Sequence, residues 1–159
     1  MIIKIATFNL FQFCSPEFSF YTKKEKFKKE DWEDKKNWIK EQLQKMNCDI
    51  VGFQEVFSQE ELKELVLECG FKEFVVTQNP KLDEKNRVYK STTVALASKF
   101  PIKNIENISK SSDFTFSREP IKAIISLKND SSLCFGEVCP GFSENIDSHK
   151  SASTPCLPM

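Results

Sequence analysis

Apolar and polar positions alternate, run together or recur at helical spacing in a way that divides most of this chain into elements. Lys4-Ile5-Ala6-Thr7-Phe8-Asn9-Leu10 alternates as a short strand and delivers one amide, Asn9, near its end. Phe11 to Tyr21, rich in Phe and Ser with Pro16, has neither period and reads as a loop able to fold over a site. Residues 31–46 predict a helix whose apolar stripe is Trp38, Ile39, Leu43 and Met46 on an otherwise charged surface. Asp49 to Phe53 is an apolar strand that runs straight into Gln54 and Glu55.

The next helix is announced by Ser58-Gln59-Glu60-Glu61, which has the form of a capping box. Leu62, Leu65, Val66 and Cys69 make its buried stripe, and Gly70 supplies a left-handed stop. Phe71 to Thr77 is a further strand, and the polar stretch Gln78 to Lys90, with Pro80, reads as a surface loop. Thr92 to Ser98 is a β-branched strand stopped by Pro101, and Ile102, Ile105 and Ile108 lie in another. Ser117 to Leu127 contains a strand apolar on both faces, which places it centrally in a sheet. From about Ser131, Cys, Pro, Ser and Gly accumulate without a sustained period, so residues 1–128 form the expected domain and 129–159 an irregular tail.

Composition narrows the function classes little. The 159 residues suit one domain, and 23 basic against 23 acidic residues leave no net charge to attract nucleic acid or a membrane surface as a whole. Any phosphate recognition must therefore be local. The basic run Lys23 to Lys29 is interleaved with and followed by acids, the pattern of a solvated helix start. Met1 to Ile5 is too short for an export signal, and no apolar run approaches the ~18 residues of a membrane span, so a cytoplasmic protein is expected.

Six cysteines at irregular spacing read as free thiols, with Cys48 and Cys69 as buried small hydrophobes. Cys134, Cys139, His149 and Cys156 offer a Cys₃His zinc set, but their spacing fits poorly the tight pairs that structural zinc sites use.

The chemistry sits at two strand ends. A carboxylate and an amide presented side by side suit a hard cation such as Mg²⁺ or Mn²⁺, which is commonly held by one or two carboxylates together with water and substrate phosphate.

Four segments, taken in order, resemble the endonuclease/exonuclease/phosphatase superfamily, the metal-dependent phosphoesterases related to deoxyribonuclease I and exonuclease III. They are Ala6 to Leu10, Asp49 to Val56, Thr93 to Ile102 and Phe116 to Pro120. The resemblance implies an α/β fold, half of a four-layer sandwich with one mixed sheet flanked by two helices. It implies Mg²⁺ or Mn²⁺ at Glu55 and Asn9, and a substrate phosphate held by Arg118, Tyr89 and Asn9. Where the deoxyribonuclease I branch has an acid two places after the groove tyrosine, this chain has Ser91.

The resemblance covers about residues 1–128. The family's catalytic His, Asp-x-Asn pair and Ser-Asp-His are not found. His149 in Asp147-Ser148-His149, and Asn145-Ile146-Asp147, have the wrong order. A phosphoesterase half with its general acid and base missing is thus expected to be weakly active or inactive, and its inner sheet face to self-associate or pair with another chain. The expected substrate is a phosphate ester, nucleic acid included. The alternative is a non-catalytic phosphate-binding or protein-interaction module.

Overall fold

The computed structural model describes residues 2–107, 118–127 and 131–137. Strand β1 (Ile5–Phe13) leads through the two-residue β2 (Ser19–Phe20) to helix α1 (Lys29–Met46), then β3 (Ile50–Val56) and helix α2 (Gln59–Glu68). There follow β4 (Glu73–Val76), the short β5 (Leu82–Asp83) and β6 (Val88–Tyr89), β7 (Thr93–Ser98), β8 (Ile102–Asn107), β9 (Ile121–Ser126) and β10 (Ser132–Glu137). The main sheet has the order β1-β3-β7-β4, with β1 and β3 parallel and the other pairs antiparallel. This mixed α/β arrangement with two described helices is the expected class.

Each face of the main sheet has its own core. Val51 and Phe53 of β3 and Ala95 and Ala97 of β7 meet Ile39 and Leu43 of α1 and Leu62, Leu65 and Val66 of α2. Alternate residues point the other way, so Ile50, Val94 and Leu96 pack with Ile121, Ala123 and Ile125 of β9. Helix α2 ends as its glycine requires. Gly70 lies at φ +90°, its N–H donates to the Leu67 carbonyl at 3.0 Å, and the Phe71 N–H reaches the Val66 carbonyl at 3.1 Å.

Several expectations need correction. One sheet with an open inner face was expected, but a second sheet of order β10-β9-β8 covers much of that face. It forms because β9 alternates, with Ile121, Ala123 and Ile125 buried while Lys122, Ile124 and Ser126 are only partly so; β9 is central, but not buried on both faces. Its inner row is too apolar to be left in water. The irregular tail was placed too early, since Ser132–Glu137 pairs antiparallel with β9. Leu133 and Phe135 make too short an alternation to stand out in sequence.

Gln78 to Lys90 is not wholly a loop. An Asx-type turn, in which Asn86 donates through its N–H and its side chain to the Asp83 carboxylate at 3.1 and 2.8 Å, folds it into the β5–β6 pair, and β2 adds to β6. On α1, Trp38 is 53% exposed, and Trp32 is the buried tryptophan, its ring 4.6 Å from Phe13. Strand β1 runs three residues past the expected Leu10.

The Ser58 hydroxyl does accept a backbone N–H, but from Ser15 at 2.8 Å and not from its own helix. Ile108, Phe116, Ser117, Cys139, Asn145, Asp147, His149 and Cys156 lie outside the described residues. The four described cysteines are free, with Cys14 and Cys48 buried, Cys69 partly so and Cys134 exposed. Among the described residues no helix is long and apolar enough to cross a membrane.

The inner core predicts the cost of disrupting the two-sheet contact. Replacing Ile125 by Ala, at a fully buried position facing Ile50 and Leu96 in the same cluster, is expected to destabilise the protein by about 2–5 kcal/mol in urea unfolding. A loss below about 0.5 kcal/mol, the usual range for surface changes, would mean that the second sheet does not pack there.

Candidate metal and phosphate site

Because β1 and β3 run parallel with Asn9 opposite Gln54, both strands bring their polar ends to one rim of the sheet. There the ladders break. The β1–β3 register shifts between Asn9 and Phe13, and the β3–β7 register between Phe53 and Val56. Phe11, Gln12 and Glu55 take up the irregularity with φ of +47°, +63° and +59°, left-handed conformations that cost a non-glycine residue on the order of 1–3 kcal/mol each. A buried frame holds them, with Leu10, Phe13, Phe53 and Val56 on either side all in the core.

The bulge aims donors at one carboxylate. Glu55 Oε1 accepts from Asn9 Nδ2 at 3.2 Å, and Oε2 accepts from the Gln12 N–H at 3.0 Å. Asn9 is itself fixed, since its Oδ1 accepts the Phe11 N–H at 2.8 Å. Gln54 donates to Thr7 Oγ1 at 2.6 Å.

Lys35 completes the surroundings. Its Nζ donates to the Phe11 carbonyl at 2.8 Å and lies 5.7 and 4.9 Å from the ring centres of Phe11 and Phe27. Burial pushes the Lys35 ammonium below its ordinary pKa, and the Glu55 charge partly restores it. By sequence pattern alone Lys35 belongs to the charged surface of the helix. The usable signal was its place three residues after Trp32 and four before Ile39, on the buried stripe of α1.

The start of β7 shares this rim, because Val56 pairs with Thr93. Arg118 bonds through Nε to the Thr92 hydroxyl and approaches the Tyr21 hydroxyl with a terminal nitrogen at 3.5 Å. The carbonyl of Glu119 accepts from Thr77 just past the end of β4 at 3.1 Å. The topology therefore brings Asn9, Glu55 and Arg118 to one end of the sheet.

Tyr89 is set differently. It packs half-buried against Phe18 and Phe57, with ring centres 5.1 and 5.8 Å away. Burial, with the charges of Glu61 and Cys14 adding to it, raises its phenol to about 12.

A divalent cation fits Glu55 as its single carboxylate ligand, since a small hard ion keeps several water or phosphate ligands. The Asn9 amide donates a hydrogen to Glu55 and its oxygen accepts the Phe11 N–H, an arrangement that orients the carboxylate. Among the described residues no group of three or more His, Cys, Asp or Glu side chains is placed to hold a metal. A cleft of about 460 Å³, lined by residues including Ser15, Glu17, Trp32 and Glu61, contains none of the expected site residues.

No family model matches the chain, and no curated protein matches it in sequence. In three dimensions it is similar to the human Nocturnin catalytic domain, solved with a bound sulfate anion. The TM-score is 0.54 and the identity 19%, over 79% of this chain and 47% of that one. The chain thus spans about half the length of that domain. The likeness is one of fold, that of a partial deoxyribonuclease I-like sandwich.

The aromatic side of the site makes stability depend on alkaline pH. Burial chiefly raises the Cys14 thiol from 9.0 to about 12, and the Tyr89 phenol rises from 10.0 to about 12. Both groups are neutral when protonated, and the folded chain holds these protons more tightly than the unfolded one. Their contribution is whole below the unfolded values and is lost as pH rises through the folded ones. Urea unfolding midpoints are expected to fall between pH 9 and about 12, and Cys14→Ala to flatten the lower part of that fall. An unchanged slope in that variant would put the loss elsewhere.

Proposed function

We propose that this chain carries the metal and phosphate-gripping half of a metal-dependent phosphoesterase site, acting on phosphodiester or phosphomonoester bonds. The observation that carries it is the Glu55 carboxylate, clamped by Asn9 and the Gln12 N–H in a strained bulge, at the rim that also presents Arg118. The neighbour in fold was solved with sulfate, a tetrahedral anion like phosphate, so an anion site on a fold of this kind is in keeping with the reading.

In this reading Glu55 would hold Mg²⁺ or Mn²⁺, which when bound would supply charge neutralisation and Lewis acidity toward a phosphoryl oxygen. The chain's own residues do the rest. Asn9 and Gln12 fix the orientation of Glu55. Lys35 holds the bulge through the Phe11 carbonyl and adds positive potential at the rim. The Arg118 guanidinium offers a fork of donors to phosphate, a geometry a lysine lacks. Tyr89 contributes as an aromatic wall of the groove.

A general acid or base is not among these groups, and the sequence's single histidine, His149, stands in no family motif. Losing one such group commonly costs ~10²–10⁴ in rate, so turnover is weak or absent while phosphate binding is retained. That deficit favours the second reading, a phosphate-binding module without catalysis.

The test is hydrolysis of a generic phosphodiester and of plasmid DNA with Mg²⁺ or Mn²⁺, run beside Glu55→Ala and Arg118→Ala. Expected is slow or no metal-dependent turnover, with Mn²⁺ binding by the wild-type chain lost in Glu55→Ala and inorganic phosphate binding weakened in Arg118→Ala. Efficient turnover abolished by Glu55→Ala would show that the acid and base are supplied from elsewhere in the chain or by another chain. Mn²⁺ and phosphate binding indifferent to both substitutions would overturn the reading.

A further inference from the structure

The phosphate rim also displays two aromatic rings that no part of the phosphoesterase reading uses. Phe11 is 70% exposed although it sits between the buried Leu10 and Phe13. In an unbroken strand residues 10 and 13 would face opposite sides. The left-handed Phe11 and Gln12 let both flanking residues enter the core and throw the Phe11 ring outward.

The backbone behind that ring is pinned on both sides. Its N–H donates to Asn9 Oδ1 at 2.8 Å, and its carbonyl accepts from Lys35 at 2.8 Å. Asn9 is also the residue that holds Glu55, so ring and carboxylate share one rigid support. On the other side Tyr21, also left-handed at φ +60° and 40% exposed, accepts a long hydrogen bond from Arg118 at 3.5 Å. Glu55 and Arg118 thus each have an exposed aromatic residue of left-handed backbone beside them, Phe11 through Asn9 and Tyr21 through its hydroxyl.

We propose that Phe11 is a stacking platform for the base of a nucleotide whose phosphate lies at the Glu55–Arg118 rim. The substrate class is then a nucleobase-bearing phosphate ester, as opposed to a sugar phosphate or a lipid headgroup. This rests on the reading of that rim as a phosphate site. An aromatic face held in place beside a phosphate grip binds any base, because every base has a π-face to stack. The Lys35 ammonium, 5.7 Å from the Phe11 ring centre, adds a cation beside the stack. A lipid surface fits less well, since the ring stands beside the exposed amide of Asn9 and the half-buried Gln12 and not in an apolar patch.

The test is calorimetric titration with adenosine monophosphate and with ribose phosphate, in Mg²⁺, for the wild-type chain, Phe11→Ala, Phe11→Trp and Arg118→Ala. Wild type is expected to bind the nucleotide about tenfold more tightly than the base-less phosphate. Phe11→Ala should erase that preference and Phe11→Trp keep it, while Arg118→Ala weakens both ligands. Equal wild-type affinities for the two ligands would overturn the stacking platform and leave the phosphate site standing. Nucleotide binding that ignores Arg118→Ala, with ribose phosphate not bound, would overturn the phosphate site and leave the platform. Absence of binding by either ligand would overturn both. Vesicles of mixed phosphatidylcholine and phosphatidylserine complete the set. Their retention of wild type but not of Phe11→Ala, without a base preference, would assign the ring to a lipid surface and overturn the proposal.

Discussion

Strand β3 is buried on both faces, and the rest of the molecule depends on that constraint. Val51 and Phe53 lock it to the two helices, Ile50 locks it to the second sheet, and β1 and β7 flank it on either side. A strand held in this way has no freedom to slide, because a one-residue slip would send each apolar side chain to the wrong core. Its end therefore arrives at a fixed place, and Glu55 is the first carboxylate beyond the packed segment. The position of the Glu55 carboxylate is thus a consequence of hydrophobic registry several residues earlier.

Strain at that end is stored and not relieved. Three left-handed non-glycine residues cluster where the ladders of β1 and β3 break. In an isolated strand they would relax. Here Leu10, Phe13 and Val56 anchor the chain on each side of the irregularity, and Asn9, Gln12 and Lys35 hold the backbone and carboxylate between them. The outcome is a carboxylate held in one orientation by hydrogen-bond donors, with a cation nearby.

The second sheet changes what kind of molecule this is. With β9 packed across β3 and β7, the inner face is largely closed, and the wide apolar opening expected of a half-sandwich is reduced to the β1 side, where Ile5 remains half exposed. The fold still covers less than half of the human domain it resembles in shape, so likeness of architecture does not by itself carry that domain's chemistry to this chain.

Much of this was legible in the residues. Period and punctuation gave α2 and its Gly70 stop, the buried β3 and β7, and the strand-end Asn9 and Glu55, because these are local patterns that tertiary contacts reinforce. Other features depend on partners distant in sequence. Trp32 and not Trp38 is buried because Phe13 stands beside it, and Ser58 bonds Ser15 because β1 runs on to Phe13 beside the start of α2. The strand β10 exists because β9 offers it a ladder, and Lys35 joins the site because α1 crosses β1 at the bulge. The sequence by itself determined which segments must be buried and where a strand-end carboxylate would emerge. Only the tertiary structure decided that Asn9 donates to that carboxylate, that Arg118 shares its rim, and that Phe11 faces outward beside it. Hydrogen-bond direction and the sense of a strained φ are set by neighbours from other strands, which no local pattern records.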